Sequence, residues 1–102
     1  GLATPITLRD QQNLAGLSLL YLYDNFNDSG FITYFALLPD YWGKGYAEKL
    51  MGESIRLATD RGKKFLKLEV DKTNYRAIKF YKKSKFNVES ENGVSLIMAL
   101  KL

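Results

Sequence analysis

Between an apolar run and a helix-like stretch lies Asp40-Tyr41-Trp42-Gly43-Lys44-Gly45-Tyr46-Ala47-Glu48-Lys49-Leu50. The first backbone N–H groups of a helix have no partner, and the helix dipole places partial positive charge beside them. Glycine lets an anion approach such a backbone with no Cβ in the way. Gly43 and Gly45 could therefore admit a phosphate to this helix start, with Lys44 adding a full charge. A plain strand-to-helix turn would use the same glycines. Two nucleotide motifs can be tested on spacing alone. A P-loop needs Ser or Thr after its lysine, and Gly45 follows Lys44. A dinucleotide fingerprint needs a third glycine, and Glu48 stands there. Asp71 could imitate the ribose-binding acid of such folds, but a chain opening on three strands argues against a doubly wound sheet.

The chain has neither cysteine nor histidine. Disulfides, thiol nucleophiles, Ser-His-Asp chemistry and nearly every zinc site are thereby removed, and no metal site is expected. Acid–base work falls to Asp, Glu, Tyr, Lys or water. The lack of cysteine fits a cytoplasmic protein. Net charge is +4, and the basic residues crowd into the second half. That pattern suits either solvated faces or attraction of a polyanion, whether nucleic acid or a phosphorylated small molecule. Nucleic acid is the weaker partner, because the aromatic residues fall in strands rather than among the lysines as a stacking surface. No apolar run reaches the roughly 18 residues that span a membrane, and no membrane partner is expected.

With 102 residues and no linker-like tract, the chain reads as one domain over residues 1–102. Strands are expected at residues 6–9, 14–23 and 31–38, the second an inner one, and residues 24–30 as a loop. Pro39 should end the third strand. Ala47, Leu50, Met51, Ile55 and Ala58 share one stripe of a helix over residues 45–61, closed by Gly62. A strand over 65–70 follows. Thr73 or Asn74 caps a second helix that runs to about residue 84. Residues 86–90 and 95–102 form a hairpin around Asn92-Gly93. The order is β-β-β-α-β-α-β-β, an α/β (α+β) domain with a mixed, mainly antiparallel sheet and two helices. The strands at 31 and 65 should pair in parallel through a crossover.

Trp42-Gly43-Lys44-Gly45-Tyr46-Ala47, preceded by Phe35-Ala36-Leu37-Leu38-Pro39, resembles the acyl-CoA signature Arg/Gln-x-x-Gly-x-Gly/Ala of the GNAT family of N-acetyltransferases. Downstream, Asn74, Ala77, Tyr81 and Phe86 match that family's Asn-x-x-Ala-x-x-x-Tyr helix and the phenylalanine after it. Two linked motifs at the right separation are more specific than either one. The resemblance covers roughly residues 14–102. It implies a chain that lacks the family's usual N-terminal strand and two helices. It departs from the pattern at Trp42, in place of Arg or Gln, and at Lys85, in place of the glycine before Phe86.

The resemblance implies an acetyl-CoA-dependent N-acetyltransferase with no metal. The strand edge at Ala36, Leu37 and Leu38 would hold the pantetheine arm and acetyl carbonyl. The backbone from Trp42 through Gly43, Lys44, Gly45, Tyr46 and Ala47 would cradle the diphosphate, and Asn74 would hold the pantetheine. Tyr81 would protonate the departing thiolate, since a phenol pKa of about 10 is near that of a thiol. Its structural counterpart is a packed core tyrosine. Glu69 resembles the proposed base of ribosomal-protein-type N-terminal acetyltransferases, and is alternatively a solvated carboxylate paired with Lys67 or Lys72. Tyr21, Tyr23 and Tyr34 are expected in the core rather than at an acceptor site. The acceptor would be a small-molecule or peptide amine. An edge strand at residues 6–9 could pair two copies into a homodimer. The alternative function is a catalytically idle CoA-binding or interaction module.

Overall fold

The computed structural model describes residues 3–23 and 27–102; the loop expected at 24–30 lies partly outside them. The elements are β1 (Thr4–Asp10), β2 (Asn13–Tyr21), β3 (Ser29–Leu37), α1 (Tyr46–Asp60), β4 (Phe65–Asp71), α2 (Tyr75–Lys83), β5 (Asn87–Asn92) and β6 (Ser95–Lys101). This is the expected order. The six strands form one sheet in the spatial order β1-β2-β3-β4-β6-β5, antiparallel at every pairing except β3 with β4. Strand ends shift by a residue or two: β2 stops at Tyr21, β3 starts at Ser29 inside the expected loop, and Asn92 pairs with Ser95, so that the hairpin loop is Gly93-Val94. Three further boundaries differ from expectation. Pro39 opens a short 3-10 turn over Pro39–Tyr41 instead of simply ending a strand. Gly45 is the left-handed residue before α1 rather than its first turn. Phe86 is buried in the turn ahead of β5, not in the strand. No helix among the described residues is long and apolar enough to cross a membrane.

Both helices lie on one face of the sheet. The β2 residues on that face are Gly16, Ser18 and Leu20, opposite Leu37, Phe35 and Ile32 of β3. Leu50 and Ser54 of α1 meet Gly16 and Ser18, while Phe80 of α2 stacks on Phe35 at 5.8 Å. Leu20, Leu50, Leu66, Phe86 and Met98 are fully buried in the resulting core. A Cβ at Gly16 would collide with the Leu37 side chain and sit 3.2 Å from Leu50 Cδ2. Only glycine lets Leu37 lie flat against β2 under the helix. The strand tyrosines expected in the core do not join it: Tyr21 is half-buried on the opposite face, and Tyr23 and Tyr34 are exposed. Strand alternation turns Tyr21 and Tyr34 away from the face that holds Leu20 and Phe35.

Ile32 and Phe35 are an odd number of positions apart, yet they share a face. A β-bulge resolves this. Leu19 pairs with Tyr34 and Leu20 with Ile32, so Thr33 is the extra residue, its hydroxyl donating to the Leu19 carbonyl at 3.2 Å. The bulge also bends β3. Its parallel ladder with β4 runs from Ser29–Phe65 to Ile32–Leu68 and ends there. Beyond it β4 continues to pair with β6 as far as Asp71, and β3 continues with β2 as far as Leu37. The two central strands therefore separate at one end.

The end of α2 is closed by a Schellman arrangement. The Phe86 N–H donates to the Tyr81 carbonyl and the Lys85 N–H to the Lys82 carbonyl, both at 3.0 Å. The Phe86 and Tyr81 rings pack at 5.9 Å, the apolar contact that accompanies this motif. It demands a left-handed residue at position 85, and Lys85 complies with φ of +79°. A lysine there carries the strain that a glycine would avoid. Lys85→Gly should therefore raise stability by about 1 kcal/mol, seen as a higher denaturation midpoint at unchanged slope.

Beneath α1, Ser54 Oγ lies 2.8 Å from the Leu50 carbonyl and 2.9 Å from Ser18 Oγ, and both serines are fully buried. One hydroxyl proton goes to the carbonyl and the other joins the two hydroxyls. Ser54→Ala strands the Ser18 hydroxyl in the core and should cost about 1–3 kcal/mol. Adding Ser18→Ala should recover most of that loss in the same denaturation measurement.

Candidate active site

The separation of β3 from β4 opens a slot of about 690 Å³ on the helix-covered face. Its apolar walls are Phe35, Ala36 and Leu37 of β3 with Ala77, Phe80 and Tyr81 of α2. At one end lie Trp42, Gly43, Gly45 and Ala47, with Glu48, Asn74, Arg76 and Lys83 around the rim. One ligand could thus meet an apolar channel and an anion-binding end.

The anion-binding end is built by backbone geometry. Gly43 and Gly45 have φ of +73° and +85°, and a Cβ built on either meets nothing within 4 Å. Backbone strain and open space, not crowding, make these positions glycine's. The first helical bond of α1 is Lys49 N–H to Gly45 O, at 3.3 Å, and no side chain caps the helix. The N–H groups ahead of Lys49 are left facing outward with the positive end of the dipole behind them. The second helix is treated differently. Asp71 Oδ1 accepts from the Thr73 N–H (2.8 Å) and hydroxyl (2.6 Å), which shapes the turn and holds the Asp71 carboxyl below its usual pKa. Asn74, not Thr73, is the cap. Its Oδ1 accepts from the Ala77 N–H at 3.2 Å, which leaves its amide NH₂ available toward the slot.

The wall strand has an open edge. The Leu38 N–H donates to the Ala15 carbonyl at 2.9 Å, toward β2. In a trans peptide the Leu37 carbonyl must then point the other way, toward the separation. Trp42 uses it: the indole Nε1–H donates to Leu37 O at 3.0 Å. The Trp42 ring in turn carries the Arg76 guanidinium, 4.2 Å from the ring centroid. Among the described residues no carboxylate pairs with Arg76.

Tyr81 sits where the two strands diverge, 9% exposed, its ring packed edge-on to Phe35 at 6.3 Å and Phe80 at 5.7 Å. Burial raises its phenol pKa above 10.0. No described group hydrogen-bonds its hydroxyl, so Tyr81 packs as a core residue and still carries an uncommitted proton.

A second cavity, of about 460 Å³, opens on the uncovered face of the same separation. Tyr21, Phe31, Thr33, Lys67, Glu69 and Ile97 line it. Glu69 is exposed there and accepts from Asn92 Nδ2 at 3.4 Å. Lys67 pairs instead with Glu89 and Lys72 with Glu91, each at 2.9 Å. Among the described residues no cluster of His, Cys, Asp or Glu could hold a metal.

Of the residues singled out in the sequence, Leu37, Trp42, Gly43, Gly45, Ala47, Asn74 and Tyr81 gather at the slot. Four do not line it. Leu38 has spent its backbone: its N–H goes to Ala15 and its carbonyl accepts from the Tyr41 N–H at 2.9 Å. Tyr46 packs edge-on against Tyr41 at 5.0 Å. Lys44 is exposed, in the loop between the two glycines. Glu69 faces the other cavity because β4 alternates around buried Leu68 and Val70. Sequence reasoning missed Gly16, Phe35, Phe80, Lys83 and above all Arg76. Only the spacing of Arg76, Phe80 and Lys83, at i, i+4 and i+7 on one stripe of α2, hinted at a common rim.

A profile of the Acetyltransferase (GNAT) family matches residues 2–86. Over 45 residues the chain is 42% identical to an uncharacterized N-acetyltransferase of Archaeoglobus fulgidus, a match covering 44% of this chain and 31% of that protein. The PaiA N-acetyltransferase of Thermoplasma acidophilum, solved with coenzyme A, superposes with a TM-score of 0.90 at 23% identity, over 98% of this chain and 61% of its own. A GNAT acetyltransferase of Elizabethkingia anophelis, solved with acetyl-CoA bound, gives 0.87 at 17% identity over 98% and 76%. The chain thus spans under a third of the archaeal relative's length and about three fifths of the Thermoplasma protein. The sheet, the strand separation and the glycine loop carry the same assignment: this chain belongs to the GNAT family of acetyltransferases.

Proposed function

We propose that this chain moves an acetyl group from acetyl-CoA to a primary amine by direct attack. One observation carries this reading: a single slot joins the uncapped start of α1 to the open edge of β3, with an uncommitted Tyr81 hydroxyl in its wall. Acetyl-CoA supplies the activated thioester. The N–H groups at the start of α1 hold its diphosphate, with Lys44 adding charge from the loop. Ala36 and Leu37 flank the pantetheine arm. The Leu37 N–H lies on the same side of the strand as its carbonyl and is placed to polarise the acyl oxygen. Asn74 offers its free amide to the arm.

The amine enters from the uncovered face, through the cavity that Glu69 lines. Its nitrogen bonds to the acyl carbon as the carbon–sulfur bond breaks. The proton lost by the amine passes to Glu69, directly or through water, and the thiolate takes the Tyr81 proton. A raised phenol pKa suits that role, since Tyr81 stays protonated across the neutral range. The acceptor is a small-molecule or peptide amine.

The second reading is a CoA-binding module without turnover, and one contact favours it. The Trp42 indole already occupies the Leu37 carbonyl, a group on the edge that a pantetheine amide would use.

Calorimetry with acetyl-CoA tests the shared part of both readings. The native chain should bind, and Gly45→Glu should abolish binding, because it forces a side chain into φ +85° and sets a carboxylate at the anion site. Absence of binding by the native chain would sink both. Acetylation of a panel of amines then separates transferase from module.

Tyr81→Phe should lower turnover by about 10²-fold without weakening acetyl-CoA binding; an equal loss of both would make Tyr81 a structural residue only. Its pH signature follows from the raised pKa. The stabilisation from the neutral buried phenol is complete below its ordinary value of 10.0 and is lost as pH rises through the higher folded value. Tyr81→Phe should remove that alkaline loss of stability.

A further inference from the structure

The slot's anion-binding end contains a cation that the sequence did not assign. Trp42 holds the position where the signature carries Arg or Gln, and an indole cannot pair with a phosphate through charge. Arg76, on the first turn of α2, reaches across the mouth of the slot to lie over that indole at 4.2 Å. Trp42 is itself tethered through its ring nitrogen to Leu37 O. The three groups form a strut from the open edge of β3 to the start of α2: carbonyl, indole, guanidinium.

A guanidinium stacked on a ring keeps its N–H donors free, because they point outward in its own plane. Those of Arg76 are not spent elsewhere: among the described residues it forms no ion pair, and its one recorded contact is with the Trp42 ring. Stacking also fixes the side chain before a ligand arrives, so less rotamer freedom is lost on binding. Arg76 and the two left-handed glycines line the same cavity. Glu48 lines it too and would repel a phosphate, which makes a neighbouring fixed cation more consequential.

We propose that Arg76, held in place by Trp42, is a phosphate-binding cation of this site, so that the charge absent at position 42 of the loop is supplied from α2. This rests on the reading of the slot as an acetyl-CoA site. Trp42 is then a positioning residue, acting through the guanidinium that it carries.

The test compares the native chain with Arg76→Ala and Arg76→Lys, titrated by calorimetry with acetyl-CoA, acetyl-3′-dephospho-CoA and acetyl-pantetheine, the last carrying no phosphate. Trp42 is the chain's single tryptophan, so its fluorescence reports independently on the stacked pair. Arg76→Ala should weaken acetyl-CoA by about ten-fold and leave acetyl-pantetheine unchanged. Arg76→Lys should recover part of the loss, since it restores the charge without the planar stack. If the loss persists with the dephospho compound, Arg76 serves the diphosphate; if it vanishes, Arg76 serves the 3′-phosphate. Native-level binding of acetyl-CoA by Arg76→Ala would overturn the assignment and leave the acetyl-CoA site standing. So would an equal loss for acetyl-pantetheine, which would mean that Arg76 only shapes the slot. If the native chain binds none of the three, the acetyl-CoA reading itself falls, and the assignment falls with it.

Discussion

The parallel ladder between β3 and β4 runs only as far as Ile32 and Leu68, and the site is built on its interruption. Two adjacent strands in register would satisfy each other's backbone and leave no opening. Here the extra residue at Thr33 bends β3 toward β2, and β4 keeps to β6. Both strands remain anchored on their outer sides, so the gap is fixed rather than collapsing. Each face of that gap becomes a cavity, one with the glycine loop and Tyr81, the other with Glu69. Two reactants could approach one point from opposite sides of a sheet without sharing an entrance.

The chemistry is divided along the slot by the kind of group that each element can offer. Helix starts contribute unpaired N–H groups, and residues from both starts line the same slot. The strand edge contributes directional backbone groups, and the middle of α2 contributes a buried phenol. The difference between the helix starts is instructive. The first is uncapped and preceded by glycines, so its amides remain free; the second has one amide satisfied by Asn74. Charge is thus concentrated at the mouth and excluded from the apolar interior around Phe35 and Phe80.

Local rules carried much of this into the sequence. Hydrophobic period, turn residues and caps are short-range, and they gave the element order, the parallel pairing, Gly62, two candidate caps of which Asn74 is the one used, and a hairpin whose loop falls one residue later than expected, at Gly93-Val94. The glycine pair was legible as a helix start open to an anion, and the Asn-x-x-Ala-x-x-x-Tyr spacing only through the family resemblance. What stayed hidden depends on contacts between distant residues. The bulge at Thr33 changes which side chains of β3 share a face, and no residue type announces it. The Trp42–Arg76 stack joins positions on separate elements. Leu38 looked like an edge residue until Ala15 and Tyr41 were seen to take its backbone groups. Glu69 was sited on the outward face of its strand by alternation, but the cavity beneath it exists only because the strands part.

The closure of α2 has a dynamic consequence. Tyr81 is held at both ends: its ring packs on Phe86, and its carbonyl accepts the Phe86 amide proton. Phe86 leads directly into the final hairpin, whose strand β6 is zipped along the whole of β4. Fraying of the helix end therefore cannot occur alone, because it would break the hydrogen bond from the Phe86 N–H to the Tyr81 carbonyl and expose the Phe86 ring together. Tyr81 and the last hairpin belong to one cooperative opening unit. Amide exchange at Phe86 would report how often the site comes apart, with no substrate present.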